Sequence, residues 1–242
     1  MKVSFDATGE VVVVTGGAHG IGAALASAVV AHGGTAVVLD ISAPADQRVE
    51  YVEVDVSDRA AVFKAVGTVI ERHGRIDGLV AGAAVQPRSA VLDTDPAEWT
   101  RTLQVNLDGV VWVCQAVVPH MVERSAGSVV VFTSGLAATG FPHAAAYSAS
   151  KAALTAFART LAAEVAEHRV RVNIVAPGVV DTDQFRAANA GADFDHWQET
   201  TGIGEPADVV GPLLFLLSDA AAMTGSQLTR ERAFARLTDL TE

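Results

Sequence analysis

Short runs of apolar residues alternate along the chain with longer stretches of mixed character. Residues 11–14, 36–39, 51–54, 78–80, 128–132 and 170–175 are mainly β-branched or aliphatic and have strand length. Between and after them, 21–31, 60–72, 96–122, 144–166 and 206–217 have the length and composition of helices. Strands that are apolar along their whole length, rather than at alternate positions, are covered on both faces. Their alternation with helices predicts an α/β fold, a doubly wound parallel sheet of Rossmann type. No repeat, linker or low-complexity tract breaks the pattern, so 1–242 reads as a single domain with an atypical tail at 229–242.

Composition narrows the picture. Half of the residues are apolar and 19% are charged, too apolar for disorder. The net charge is -11, with no block of like charges, which argues against nucleic acid and anionic membrane as partners. The first ten residues lack the apolar core of a signal peptide. No uncharged apolar run reaches the ~18 residues of a membrane span. Cys114 is the one cysteine, so no intrachain disulfide is possible. A cytoplasmic protein is the expectation.

The string Thr15-Gly16-Gly17-Ala18-His19-Gly20-Ile21-Gly22 joins the first strand to the first helix. Glycines there let backbone N–H groups approach an anion, and the helix N-terminus adds partial positive charge. A glycine cluster alone also suits a plain tight turn, but its place between strand and helix favours phosphate binding. Asp40 follows the second strand and precedes Ile41 and Ser42, with no base beside it. A carboxylate at that point accepts from ribose hydroxyls and repels a 2′-phosphate, which favours NAD.

Tyr147 and Lys151 are four apart in a predicted helix and share a face. A phenol of pKa about 10 needs help to exchange protons near neutrality, and a nearby ammonium provides it. Ser134 ends the fifth predicted strand, where its hydroxyl is free to meet a substrate oxygen. Asn106 and Gly109 are poor residues for a helix interior, and they predict a local irregularity within 96–122.

These pieces together resemble the compact, single-domain short-chain dehydrogenases/reductases, over about residues 9–228. The matching motifs are TGGAHGIG at the first turn, Asp55-Val56 after the third strand and Val105-Asn106-Leu107. Ser134 stands thirteen residues before Tyr147 in YSASK, and Pro177-Gly178 precedes Thr182. The resemblance implies that Tyr147 is the acid/base, that Ser134 polarises the carbonyl, and that Lys151 lowers the phenol pKa and holds the nicotinamide ribose. It implies that Asn106 positions a water in a relay to Lys151. Thr15, Gly16, Gly20, Ile21 and Gly22 would hold the phosphates, Asp55 and Val56 the adenine edge, and Val180 and Thr182 the carboxamide beside Pro177 and Gly178. Relatives of this kind are usually tetramers, so a homo-oligomer, tetramer or dimer, is implied. The substrate class is an alcohol or ketone.

Two departures stand out. Ala81-Gly82-Ala83-Ala84 replaces the usual Asn-Asn-Ala-Gly, which predicts lower rigidity with chemistry intact. The usual Val-Asp-Gly-Gly ending is absent, and a helical tail is predicted over residues 234–240. Gln86, His143, Phe185 and Trp197 are candidate substrate contacts, the last two on a predicted flap over 183–200. The seven histidines form no metal-ligand pair. Two rival readings stay open: an NADPH-dependent ketoacyl-type reductase, and a non-catalytic dinucleotide sensor.

Overall fold

The computed structural model describes residues 3–233. Seven parallel strands form one sheet in the order β3-β2-β1-β4-β5-β6-β7. They are β1 (Val11–Thr15), β2 (Thr35–Asp40), β3 (Glu50–Glu53), β4 (Gly78–Ala81), β5 (Gly127–Phe132), β6 (Val170–Ala176) and β7 (Gln227–Thr229). The helices are α1 (Gly20–Ala31), α2 (Arg59–His73), α3 (Pro96–Leu103), α4 (Gly109–Arg124), α5 (Leu136–Thr139), α6 (Ala145–Val165), α7 (Asp183–Ala188), α8 (Phe194–Thr200) and α9 (Pro206–Leu217).

Successive strand side chains point to opposite faces, and here both faces are apolar. Val11, Val13, Leu39, Leu79 and Val129 pack with Val62 and Val66 of α2, Val113 and Val117 of α4, and Leu154 of α6. Val12, Val14, Val38, Val80 and Val130 pack on the other side with Leu25 and Val29 of α1 and Leu213 and Leu216 of α9. The valine run of β1 is therefore split between two cores. Winding reverses between β1 and β4, and a crevice opens there beyond the carboxyl ends of the strands.

The predicted helix over 96–122 is three pieces. Asp95 caps α3 by accepting from the Ala97 amide, and a π-helical turn, Gln104–Asp108, separates α3 from α4. The irregularity expected from Asn106 and Gly109 is this turn. The helical stretch Pro96–Arg124 is long and apolar enough to cross a membrane, but Val110, Val113, Cys114, Val117, Val118 and Met121 are buried in the core. The elements α5, α7, α8 and β7 were not anticipated. The flap over 183–200 is folded into α7 and α8. The strand β7 extends the sheet, pairing Ile174 with Gln227 and Ala176 with Thr229. The tail helix predicted over 234–240 lies outside the described residues.

Candidate active site

A cavity of about 1120 Å³ runs past the ends of the strands, from Asp40 and Asp55 to the flap. Its first wall is the glycine loop. Gly16 has φ +68, and a Cβ on it would lie 2.7 Å from the backbone of Ala83; a Cβ on Gly22 would collide with the Gly16 carbonyl. His19, the residue before α1, makes no side-chain capping hydrogen bond, and no acidic residue occupies the first turn. The amides of Ile21 and Gly22 begin the helix and have no intrahelical acceptor. A cradle that excludes Cβ atoms and presents such amides fits a dinucleotide pyrophosphate.

Other groups at this end are partly committed to the protein itself. Asp40 accepts from the Ala18 amide at 3.0 Å and the Ser42 amide at 3.1 Å, which ties the glycine loop to the end of β2. Asp55 accepts from the Ser57 amide and hydroxyl and from Arg101 Nη2 at 2.9 Å. Both carboxylates still line the cavity, as do Val56 and Arg101. Thr15 does not line it. Its hydroxyl accepts from the Gly82 and Ala83 amides, at 3.1 and 3.3 Å. Those two backbone donors brace the segment that lacks the usual asparagines.

The other end carries the predicted triad. Ser134 follows β5, and its Oγ accepts from the Leu136 amide that opens α5. Tyr147 lies in the first turn of α6. Lys151 is one turn on and 3% exposed. The Lys151 ammonium donates to the Phe132 carbonyl at 3.1 Å and lies 5.8 Å from the centroid of the Tyr147 ring. The Thr133 hydroxyl donates to the Lys151 carbonyl at 2.9 Å and fastens α6 to the end of β5. Burial pushes the Lys151 pKa down to about 8. Burial also raises that of Tyr147, while the Ser134 hydroxyl and the Arg88 charge pull it back. Arg88 is thus a cation that acts on the phenol.

The remaining predicted residues divide. Gly20, Pro177, Gly178, Val180 and Thr182 line the cavity, and so do Gln86, Phe185 and Trp197. Thr182 also caps α7 by accepting from the Phe185 amide at 3.1 Å. Phe185, Phe194 and Trp197 pack edge to face, with centroids 5.2 to 5.5 Å apart, and stiffen the flap. His143 does not line the cavity. It is exposed, holds a left-handed φ of 64, and gives only its carbonyl, to the Ser89 amide. Asn106 is also outside. Fully buried, it accepts from the Val85 amide at 2.7 Å and donates to the Val85 carbonyl and Ser150 Oγ. Its side chain braces the cavity wall, and the water relay expected of it gains no support from these bonds.

Two arginines escaped the sequence reading. Arg230 donates from Nε to the Pro177 carbonyl at 2.7 Å and from Nη2 to the Val179 carbonyl at 2.8 Å. Arg88 lines the cavity on the loop between β4 and α3. A lone cation in a loop was the available signal for each, and it is a weak one.

Among the described residues no group of three or more His, Cys, Asp or Glu side chains is placed to hold a metal ion. What the arrangement offers instead is an anion cradle, a phenol, a hydroxyl and a buried ammonium along one cavity.

Comparison with known proteins agrees with this geometry. Residues 10–193 match the short chain dehydrogenase family. The chain is 34% identical over 239 residues to a D-threitol dehydrogenase of Mycolicibacterium smegmatis, covering 92% of each. It is 29% identical over 234 residues to a 3-oxoacyl-(acyl-carrier-protein) reductase of Chlamydia pneumoniae, covering 90% of this chain and 94% of that protein. Among solved structures, ligand-free Thermoplasma acidophilum aldohexose dehydrogenase superposes with a TM-score of 0.88 at 28% identity, covering 93% of this chain and 94% of that one. The protein belongs to the short-chain dehydrogenase/reductase family and is an oxidoreductase of that family.

Proposed function

We propose that the protein is an NAD(H)-dependent alcohol dehydrogenase/carbonyl reductase that acts on a secondary alcohol or its ketone. The observation that carries this reading is the meeting of Ser134, Tyr147 and Lys151 on the wall of the cavity that the glycine cradle opens. Bound NAD supplies the hydride acceptor in oxidation, and NADH the donor in reduction. Gly16, Gly20, Ile21 and Gly22 hold its phosphates, Asp40 its adenosine ribose, and Asp55 and Val56 border the adenine. Pro177, Gly178, Val180 and Thr182 border the nicotinamide.

The chain's own residues manage the proton. In reduction the Tyr147 phenol would give its proton to the carbonyl oxygen, and in oxidation the phenolate would take the proton of the alcohol. Ser134 donates to the same oxygen and favours the charge that develops there. Lys151 and Arg88 supply the positive field that the phenolate requires. Gln86, Phe185 and Trp197 enclose the rest of the substrate and keep water out.

Asp40 favours NAD over NADP, because a 2′-phosphate beside its carboxylate meets like charge. His19, at the cavity edge, supports the rival reading of an NADPH-dependent ketoacyl-type reductase. We also propose a homo-oligomer. Phe63 lies on α2 with the Arg59 guanidinium 4.3 Å from its ring and 5.5 Å from that of Trp112, and this aromatic face is partly exposed. Light scattering tests the assembly. A panel of ketones and secondary alcohols, run with each cofactor in both directions, tests the activity. No cofactor turnover with any of them refutes the enzyme reading and favours a sensor.

A further inference from the structure

Arg88 is a cation without a counter-ion. Its Nε donates to the Ala188 carbonyl at 3.2 Å and its Nη2 to Asn189 Oδ1 at 2.9 Å. The guanidinium stands 5.1 Å from the centroid of the Phe141 ring. Its Nη1 is buried and has no hydrogen-bond partner. Among the described residues no carboxylate pairs with it. Burial alone would make this arrangement costly, since a desolvated guanidinium is stable when each of its donors is met.

Its place gives the vacancy a meaning. The Ser89 amide donates to the His143 carbonyl at 3.0 Å, and Ser89 bridges Ala144 just before α6. This fixes Arg88 beside the start of the helix that carries Tyr147. On the far side its two satisfied donors reach the flap. The cavity wall is largely apolar and includes Val85, Leu136, Phe141, Phe185 and Trp197, with Phe141 against the guanidinium itself. An apolar enclosure with one unpaired cation suits a substrate that is mostly hydrocarbon and bears one negative group.

We propose that Arg88 is a specificity-determining residue that binds a carboxylate on the substrate, so that the physiological substrate is a hydroxy acid or the matching keto acid. The unpartnered Nη1 and a single positive charge suit a carboxylate better than a phosphate, which brings up to two charges. The flap bonds to Ala188 and Asn189 hold the guanidinium ready. The same charge acts on the Tyr147 phenol and joins substrate recognition to the proton-transfer group. This proposal rests on the cavity's being the substrate site of an oxidoreductase.

The test separates the two claims. Full-length protein with NADH is titrated calorimetrically with cyclohexanecarboxylate and with cyclohexanecarboxamide, and the pair is repeated with butyrate and butyramide. Turnover is followed in parallel for a hydroxy acid and its methyl ester. The proposal expects the carboxylate to bind at least about tenfold more tightly than the amide in one pair or both, the worth of one charge-assisted bond. Arg88→Met should remove that preference, and Arg88→Lys should keep part of it and guard against a folding defect in the first variant. The acid should also exceed its ester in kcat/KM, by a ratio that falls in Arg88→Met. If the amide binds as well as the acid in both pairs, or the preference survives Arg88→Met, the assignment is overturned. Turnover of the ester alone, dependent on Tyr147, would leave the oxidoreductase reading standing and remove this one. Binding of the acid through Arg88 with no turnover of any alcohol would keep the anion contact but overturn both the activity proposed for the cavity and the hydroxy-acid assignment.

Discussion

The ammonium of Lys151 is bonded to the carbonyl of Phe132 at 3.1 Å, while the ring of Tyr147 is 5.8 Å away from it. The lysine is thus held by the end of β5 and not by the phenol. It brings a nearly buried charge to the site at a cost to the fold, and its ordinary pKa is reduced to about 8 as a result.

That cost has a sign that can be measured. The unfolded lysine keeps a pKa of about 10.4, so between about pH 8 and 10.5 the unfolded chain binds more protons than the folded one. Stability from this group therefore rises with pH across that window, and below pH 8 the charged lysine carries its full penalty, on the order of 3 kcal/mol. Lys151→Met should raise the melting temperature of the cofactor-free protein at pH 7 by several degrees, less what is lost at the Phe132 carbonyl. The gain should shrink towards pH 10. A difference that stays constant with pH would show that burial of the charge is not the cause. Turnover should fall steeply in the same variant.

Tyr147→Phe removes only a hydroxyl. Turnover should drop at least about a hundredfold, the usual worth of a positioned proton donor. NADH affinity, measured by fluorescence, should change less than about twofold, since the ring remains and only packing is at stake. Retention of more than about a tenth of the rate would remove Tyr147 from its role.

Asp40 should set cofactor choice. NAD should exceed NADP in kcat/KM by at least about tenfold, which needs only about 1.4 kcal/mol. Asp40→Ala should narrow the gap and also lower stability, because the Ala18 and Ser42 amides lose their acceptor. Equal use of both cofactors by the unaltered protein would contradict the assignment.

Gly22→Ala adds one methyl group where the Gly16 carbonyl already stands. The loop must move, so cofactor affinity should fall at least about tenfold while the sheet survives. Calorimetric titration with NADH, beside a circular dichroism melt, reads both effects.

Arg230 supports the turn proposed to border the nicotinamide, through the Pro177 and Val179 carbonyls. Arg230→Met should raise the KM for the cofactor by roughly ten- to a hundredfold, the equivalent of two lost bonds, and lower kcat less. Truncation after Thr229 should do the same and also lower the melting temperature, since the Ala233 amide bonds to the Thr201 carbonyl at 2.7 Å. A truncated protein with unchanged KM and melting temperature would show that this end has no part in the site.

Legibility in the sequence followed the range of the interactions. The strand at 11–14 could be read because two-sided burial makes it apolar throughout. The triad could be read because fixed spacing on one helix and one strand end carries it. The strand β7 could not, since Gln227-Leu228-Thr229 is short, polar at both ends and lies at the sheet edge. For His143 sequence distance to Tyr147 left both a cavity contact and a solvated loop histidine open; α6 starts at Ala145, and His143, with its left-handed φ of 64, lies outside the helix and the cavity lining. Arg88 and Arg230 draw their meaning from carbonyls 100 and 53 positions away, beyond any local pattern.

The contact of Arg230 with Pro177 and Val179 also orders events in time. A chain emerges N-terminus first, and domains generally fold as their residues become available. β1, α1, β2 and β4, which build the glycine-loop half of the crevice, are complete by Ala81. The turn at Pro177 and Val179 waits for residue 230, across a loop whose closure costs entropy. A nascent chain can thus offer the glycine cradle long before residue 230 braces the other end of the cavity.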